Sequence, residues 1–124
     1  MKFDDSVPIY LQIKEEIENA IITNSLKEEE PIPSIRSLAA QYRLNPQTVS
    51  NAVSELMNEG VIFKKRGIGM FVEKGAKAKL TKKKNQEFRN DDLIKLVHKS
   101  KSLGITKQEL IESIASVYEQ GGNK

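Results

Sequence analysis

The chain has 124 residues, a formal net charge of +3, 38% hydrophobic and 30% charged side chains. That is room for one or two small domains around a modest core. It contains no Cys, no Trp and a single His, His98, which excludes disulfides, thiol catalysis, Cys-ligated zinc, multi-His metal sites and a conventional catalytic triad. No apolar run approaches the ~20 residues that span a bilayer and no signal peptide opens the chain, so a soluble, cytoplasmic protein with neither metal nor cofactor is expected.

Residues 1–7 read as an arm. Pro8 suits the first turn of a helix, and Ile9, Ile13, Ile17, Ala20 and Ile21 recur at helical spacing opposite Lys14, Glu15, Glu16 and Glu18. A first helix is predicted at about 8–23. Residues 26–33 form a connector broken by Pro31 and Pro33, with the acidic run Glu28-Glu29-Glu30 as a solvated loop. Ser34 caps a second helix at about 34–41, striped by Ile35, Leu38, Ala39 and Tyr42. After a tight turn, Asn45-Pro46 gives an N-cap followed by proline at the first helical position. Val49, Ala52, Val53 and Leu56 form the buried stripe of this third helix, Gln47, Ser50, Asn51 and Ser54 fall on the opposite side, and Gly60 ends it.

Two short β-like runs, 61–63 and 70–72, flank Lys64-Lys65-Arg66-Gly67-Ile68-Gly69, a hairpin with a basic, glycine-containing tip. Residues 75–89 are nearly devoid of apolar side chains and read as a charged linker. The region 90–120 reads as a helical hairpin. Asn90 or Asp91 starts its first helix, with Leu93, Leu96, Val97 and Leu103 as the stripe and Gly104 as the stop. Thr106 with Glu109 makes a capping box and Ile105 with Leu110 a hydrophobic staple. Leu110, Ile111, Ile114, Val117 and Tyr118 give the second helix its apolar face. The tail 121–124 should fray. His98 and Tyr118 read as ordinary helix residues rather than ligand contacts.

Charge is unevenly spread. Residues 1–63 carry five Lys or Arg against ten Asp or Glu, residues 64–84 nine against one, and residues 85–124 six against six. A basic block of this kind attracts a polyanion, although a Lys-rich linker alone would look similar.

Helix, short turn, helix and basic hairpin in this order describe a winged helix-turn-helix. The fold expected is mostly α with a small β-hairpin: an N-terminal winged helix-turn-helix at 7–74, then the linker, then the C-terminal pair. The B-DNA major groove admits one helix, whose N-terminal turn and outer face meet base edges. Gln47, Ser50 and Asn51 lie on that face, with Thr48 in the first turn and Arg36 in the first turn of the helix before. Gln and Asn suit bidentate contact to adenine. Lys64, Lys65 and Arg66 can neutralise phosphates, while Gly67 and Gly69 let the backbone approach the minor groove.

These segments resemble the GntR family of bacterial transcription regulators. Ile32-Pro33-Ser34-Ile35-Arg36-Ser37-Leu38-Ala39 is similar to the family's "LPS-x-R-x-LA" signature. Residues 45–52 resemble its recognition-helix start, residues 55–62 and 66–72 its helix end and wing, and residues 8–13 its opening helix. The short C-terminal part resembles the YtrA-like subfamily, whose C-terminal helices serve dimerisation and whose members often repress transporter operons, including their own.

The resemblance implies that Ser34, Arg36, Asn45, Gln47, Thr48, Ser50, Asn51, Lys65, Arg66, Gly67 and Gly69 meet DNA. Two departures stand out. Asn24 and Glu29 occupy connector positions that usually hold glycine, which implies a different turn. Pro46 and Asn51 stand where several relatives have a basic residue, which implies a shift of operator preference toward A·T.

The partners expected are double-stranded DNA carrying an inverted repeat and a second copy of the chain. A two-fold dimer reads half-sites ~34–36 Å apart. A small-molecule effector is not expected, since a pocket of ~300 Å³ or more would compete with so small a core. The alternative is a winged-helix protein-interaction or RNA-binding module. With no P-loop and no paired-carboxylate cleft, an enzyme is not expected.

Overall fold

The computed structural model describes residues 5–121. Residues 1–4 of the expected arm and 122–124 of the expected fraying tail lie outside them. The chain divides between Lys82 and Lys83 into two compact units.

In the first unit, α1 (Ile9–Ile22) follows Pro8 and buries Ile13, Ile17 and Ile21. It packs on α3 (Pro46–Asn58), which contributes Val49, Ala52, Val53 and Leu56, and α2 (Ile35–Tyr42) adds Leu38 and Ala39. Fully burying one such aliphatic side chain stabilises by about 1.5–3 kcal/mol, so this three-helix seam is the main source of stability. The predicted helix boundaries hold to within about a residue.

The Lys14 ammonium crosses from α1 to Glu55 of α3 and to Glu59, the residue that caps the C-terminus of α3. Burial alone would lower its pKa; the hydrogen bond and charge of Glu59, helped by Glu18 and Glu55, outweigh that and raise it. The turn between α2 and α3 closes through Arg43, a non-glycine residue at φ 56°, and the Leu44 N–H donates to the Ala39 carbonyl at 2.9 Å.

The hairpin is β2 (Ile62–Lys65) and β3 (Gly69–Val72), antiparallel, with Phe63 opposite Phe71 and Lys65 opposite Gly69. A third strand not expected from the sequence, β1 (Pro31–Ile32), pairs with β3 on its other edge, giving the order β1-β3-β2. Two prolines suggested a broken connector there. An edge strand tolerates proline because its outer face has no ladder partner to satisfy. Ile32, Ile62, Met70 and Val72 close the core beneath the helices.

The connector before β1 keeps left-handed backbone at Asn24 (φ 66°) and Glu29 (φ 65°). Both residues thus adopt the conformation that glycine favours, so the different turn implied by the resemblance is not seen. The Glu29 N–H donates to the Val72 carbonyl at 2.7 Å, which holds the strained residue in place.

The charged segment after the hairpin, whose order the sequence left open, is helical. Helix α4 (Ala76–Glu87) has only Ala76 and Leu80 buried, one turn apart, against the core of the first unit. Its N-terminus is capped from a distance. The Glu28 carboxylate accepts from the Gly75 N–H at 3.0 Å and the Lys77 N–H at 2.9 Å. These two bonds hold the Glu28 pKa below the ordinary carboxylate value. Lys79 adds a bond to the Glu59 carbonyl at the end of α3.

In the second unit, a π-helical turn (Phe88–Asp92) leads straight into α5 (Leu93–Ser102). Asn90 and Asp91 therefore do not start a helix, as their capping chemistry suggested; they lie within one. Gly104 (φ 76°) ends α5, with the Ile105 N–H donating to the Ser100 carbonyl at 3.0 Å. Helix α6 (Lys107–Gly121) opens on the predicted capping box. The Glu109 N–H donates to the Thr106 hydroxyl at 3.1 Å, and the Thr106 N–H to the Glu109 carboxylate at 2.9 Å. The latter bond lowers the Glu109 pKa.

The expected hairpin is open. The two helices α5 and α6 do not pack along their lengths, and apart from half-buried Leu110 their large apolar side chains stay exposed. Among the described residues, no helix is long and apolar enough to cross a membrane.

Candidate nucleic-acid interface

The start of α3 is built by its cap. The Asn45 side chain accepts from the Gln47 N–H at 2.8 Å, and Pro46 at the first helical position loses no bond there. This leaves the positive end of the helix facing solvent with no carboxylate in its first turn.

Gln47 and Asn51 sit one turn apart, both exposed. The Gln47 amide donates to the Asn51 carbonyl oxygen at 2.9 Å. The bond leaves the Gln47 carbonyl oxygen as an acceptor and three amide hydrogens, one on Gln47 and two on Asn51, as donors. A paired donor and acceptor of this kind matches the adenine N6 amine and N7 in the major groove. Thr48 and Ser50 flank the pair and are half-buried, so of the polar residues predicted for this face Gln47, Asn51 and Ser54 are the fully solvent-facing ones.

Helix α2 offers the next surface. Ser34 caps it, accepting from the Ser37 N–H at 3.1 Å and donating to the Ser37 hydroxyl at 3.0 Å. Its hydroxyl is thus engaged in local structure. Arg36, in the first turn, is exposed.

The hairpin tip is the third element. Lys64, Lys65 and Arg66 are exposed. The Ile68 N–H donates to the Lys65 carbonyl at 2.9 Å, closing a turn with Gly67 at φ +78°. A positive φ at the third turn residue is what a type II turn requires. Gly69 at φ +140° lies in space only glycine enters readily.

Behind the tip, Phe63 and Phe71 stack at 5.5 Å between ring centroids. The Lys65 ammonium lies 5.1 Å from the Phe71 ring. This cation–π contact limits where Lys65 points, a restraint that Lys64 and Arg66 lack. All the residues predicted at 34–51 and 65–69 thus fall within the first unit, on helix starts or on the hairpin tip. The residues predicted for dimerisation fall in the second unit. Leu93, Leu96, Val97, Leu103, Ile111, Ile114, Val117 and Tyr118 are exposed there, Tyr118 to 78%, and Leu110 is half-buried.

Two structural features escaped the sequence reading. Glu28 caps α4, and Ile68 stands exposed at the wing tip. No periodic signal marks either. Glu28 finds its partners 47 and 49 residues away.

Comparison with known proteins agrees with this geometry. Residues 9–72 match the model of the bacterial regulatory proteins of the gntR family. The uncharacterized HTH-type transcriptional regulator YhcF of Bacillus subtilis (strain 168) is 32% identical over 120 residues, covering 97% of this chain and 98% of YhcF. The HTH-type transcriptional repressor YtrA of the same organism is 32% identical over 121 residues, covering 96% of this chain and 92% of YtrA.

Among solved structures, a GntR family transcriptional regulator from Listeria monocytogenes superposes with TM-score 0.77 at 28% identity, covering 92% of this chain and 98% of that one. The AraR DNA-binding domain in complex with operator ORR3 matches with TM-score 0.53 at 28% identity, over 58% of this chain and 87% of that one. These relatives are regulators and not enzymes. The chain belongs to the GntR family of helix-turn-helix transcriptional regulators, a DNA-binding family.

Proposed function

We propose that this protein is a homodimeric repressor that binds an inverted-repeat operator, each protomer reading one half-site. The observation that carries the reading is the α3 start, where the Asn45 cap and the Gln47–Asn51 hydrogen bond present a donor–acceptor array beside an uncompensated helix N-terminus. In this reading Gln47 and Asn51 contact bases, Thr48 and Ser50 contact bases or phosphate, and Arg36 holds the backbone beside α2. Lys65 and Arg66, with Lys64, neutralise phosphates across the minor groove, while Gly67 and Gly69 allow the approach.

The domain assignment is a DNA-binding part at 7–74, a connecting segment at 75–89 and a dimerisation part at 90–120. The exposed apolar side chains of α5 and α6 support self-association. A pair of helices that leaves its stripes uncovered within one chain can bury them against a second copy as a four-helix arrangement. The likeness to the repressor YtrA over nearly the full length supports repression. By the subfamily resemblance alone, a transporter operon containing its own gene is the candidate target.

The test is selection of duplexes from a randomised library by the full chain at near-physiological salt, followed by sequencing. An enriched inverted repeat with half-site centres about one helical turn apart is expected. Uniform recovery of all sequences, or preference for single-stranded RNA over duplex DNA, would overturn the reading.

A further inference from the structure

The apex of the basic hairpin is apolar. Ile68 is 73% exposed, whereas the other exposed large hydrophobics among the described residues of the first unit, Val7 and Ile9, are 38% and 40% exposed. It stands between Gly67 and Gly69, beside each of which the structure leaves open space. The backbone on either side is therefore bare and the isoleucine stands alone. The bond from its N–H to the Lys65 carbonyl fixes the apex. It takes no part in the hydrophobic core, so folding gives no reason for an aliphatic side chain at this position. Solubility and phosphate attraction would both be served better by a polar one.

The chemistry of the minor groove supplies a reason. There A·T and T·A pairs present only acceptors, while G·C adds the guanine N2 amine as a donor. Isoleucine can neither donate nor accept. Pressed over a G·C pair it would strip water from that amine and offer nothing in return, which is the costly way to bury a donor. Over A·T there is no amine to orphan, and the methyl groups can rest against the sugar walls.

We propose that Ile68 is a specificity-determining residue that reads the minor groove by exclusion, rejecting base pairs that carry a guanine N2 amine beneath the wing. Lys64, Lys65 and Arg66 then supply attraction that is blind to sequence, and Ile68 supplies the discrimination. The inference rests on the proposed reading of the protein as an operator-binding regulator whose wing enters the minor groove.

The experiment uses the full chain and the duplex most enriched from the randomised library. In each half-site, A·T pairs outside the major-groove contacts are replaced one at a time by diaminopurine·T, which adds a minor-groove amine and leaves the major-groove edge unchanged. G·C pairs placed at the same positions are compared with inosine·C, which removes that amine. Wild type is expected to lose about tenfold in affinity for an added amine beneath the wing, a modest value for one wrong base pair, and to recover with inosine. The exposed Ile68→Ser variant is expected to bind all four duplexes alike at that position.

Wild-type indifference to the amine at every position overturns the assignment, as does equal discrimination by Ile68→Ser. Enrichment of a repeat with amine-blind binding refutes Ile68 alone. Failure to enrich any duplex refutes the operator-binding reading, and this inference with it.

Discussion

Gln47 and Asn51 form a coupled pair, so their variants should not be additive. Gln47→Ala and Asn51→Ala are each expected to weaken operator binding by about 1–3 kcal/mol, and the double variant by less than the sum; titrations of the four proteins against one duplex measure the coupling. Glu28 carries a pH signature. Its pKa is depressed by the Gly75 and Lys77 N–H groups, so its contribution to stability is present above the unfolded carboxylate value and is lost as pH falls through the folded one. Glu28→Gln should therefore flatten the acid limb of the urea-unfolding profile. Glu29 sits at φ 65°; relief of that conformation outweighs the added chain entropy of glycine, so Glu29→Gly is expected to stabilise by about 0.5–1 kcal/mol in the same assay. Local capping was legible: Ser34, Asn45, Thr106 and Glu109 bond to groups two or three residues away. Glu28 was not, because nothing near it in sequence announces a partner across the fold.

Elements were legible in proportion to how much of their stability is local. Helices α1, α2 and α3 carry apolar stripes at helical spacing; Pro8 opens the first, and Ser34 and Asn45 cap the other two. The sequence placed all three. The hairpin was marked by its glycines. Strand β1 was hidden because two residues leave no period, and its pairing with β3 is set by the fold rather than by β propensity. Helix α4 was hidden for the opposite reason. Its composition is that of a solvated linker, and Ala76, Leu80, the distant Glu28 and the Lys79 bond to Glu59 hold it. Leu80→Ala is expected to destabilise the first unit by about 2–4 kcal/mol while leaving the α3 start unchanged. Thermal unfolding beside operator titration below the transition would show the two effects apart.

At the scale of the molecule, charge and the proposed self-association give the predictions for behaviour in solution. If Arg36, Lys64, Lys65 and Arg66 of both protomers meet phosphates, the slope of log affinity against log salt is expected near about −7, and Arg36→Ala should reduce its magnitude by about 2. Ile114→Glu places a charge among the exposed apolar residues of α6 and is expected to convert dimer to monomer by sedimentation, with a loss of operator affinity but no loss of helical content in residues 5–82. The second unit was legible as helices and as a capping box, but not as an open pair, because amphipathic periodicity shows that a face must be covered and not by what. The carboxylate that caps α4 has one more consequence, for the order of events during synthesis. Residue 28 leaves the ribosome long before residue 77, yet it becomes a cap only once the sheet has formed around Val72. Nascent chains should therefore stay unstructured at 76–87 until the preceding domain has closed, and helix formation in that segment serves as a clock for its completion.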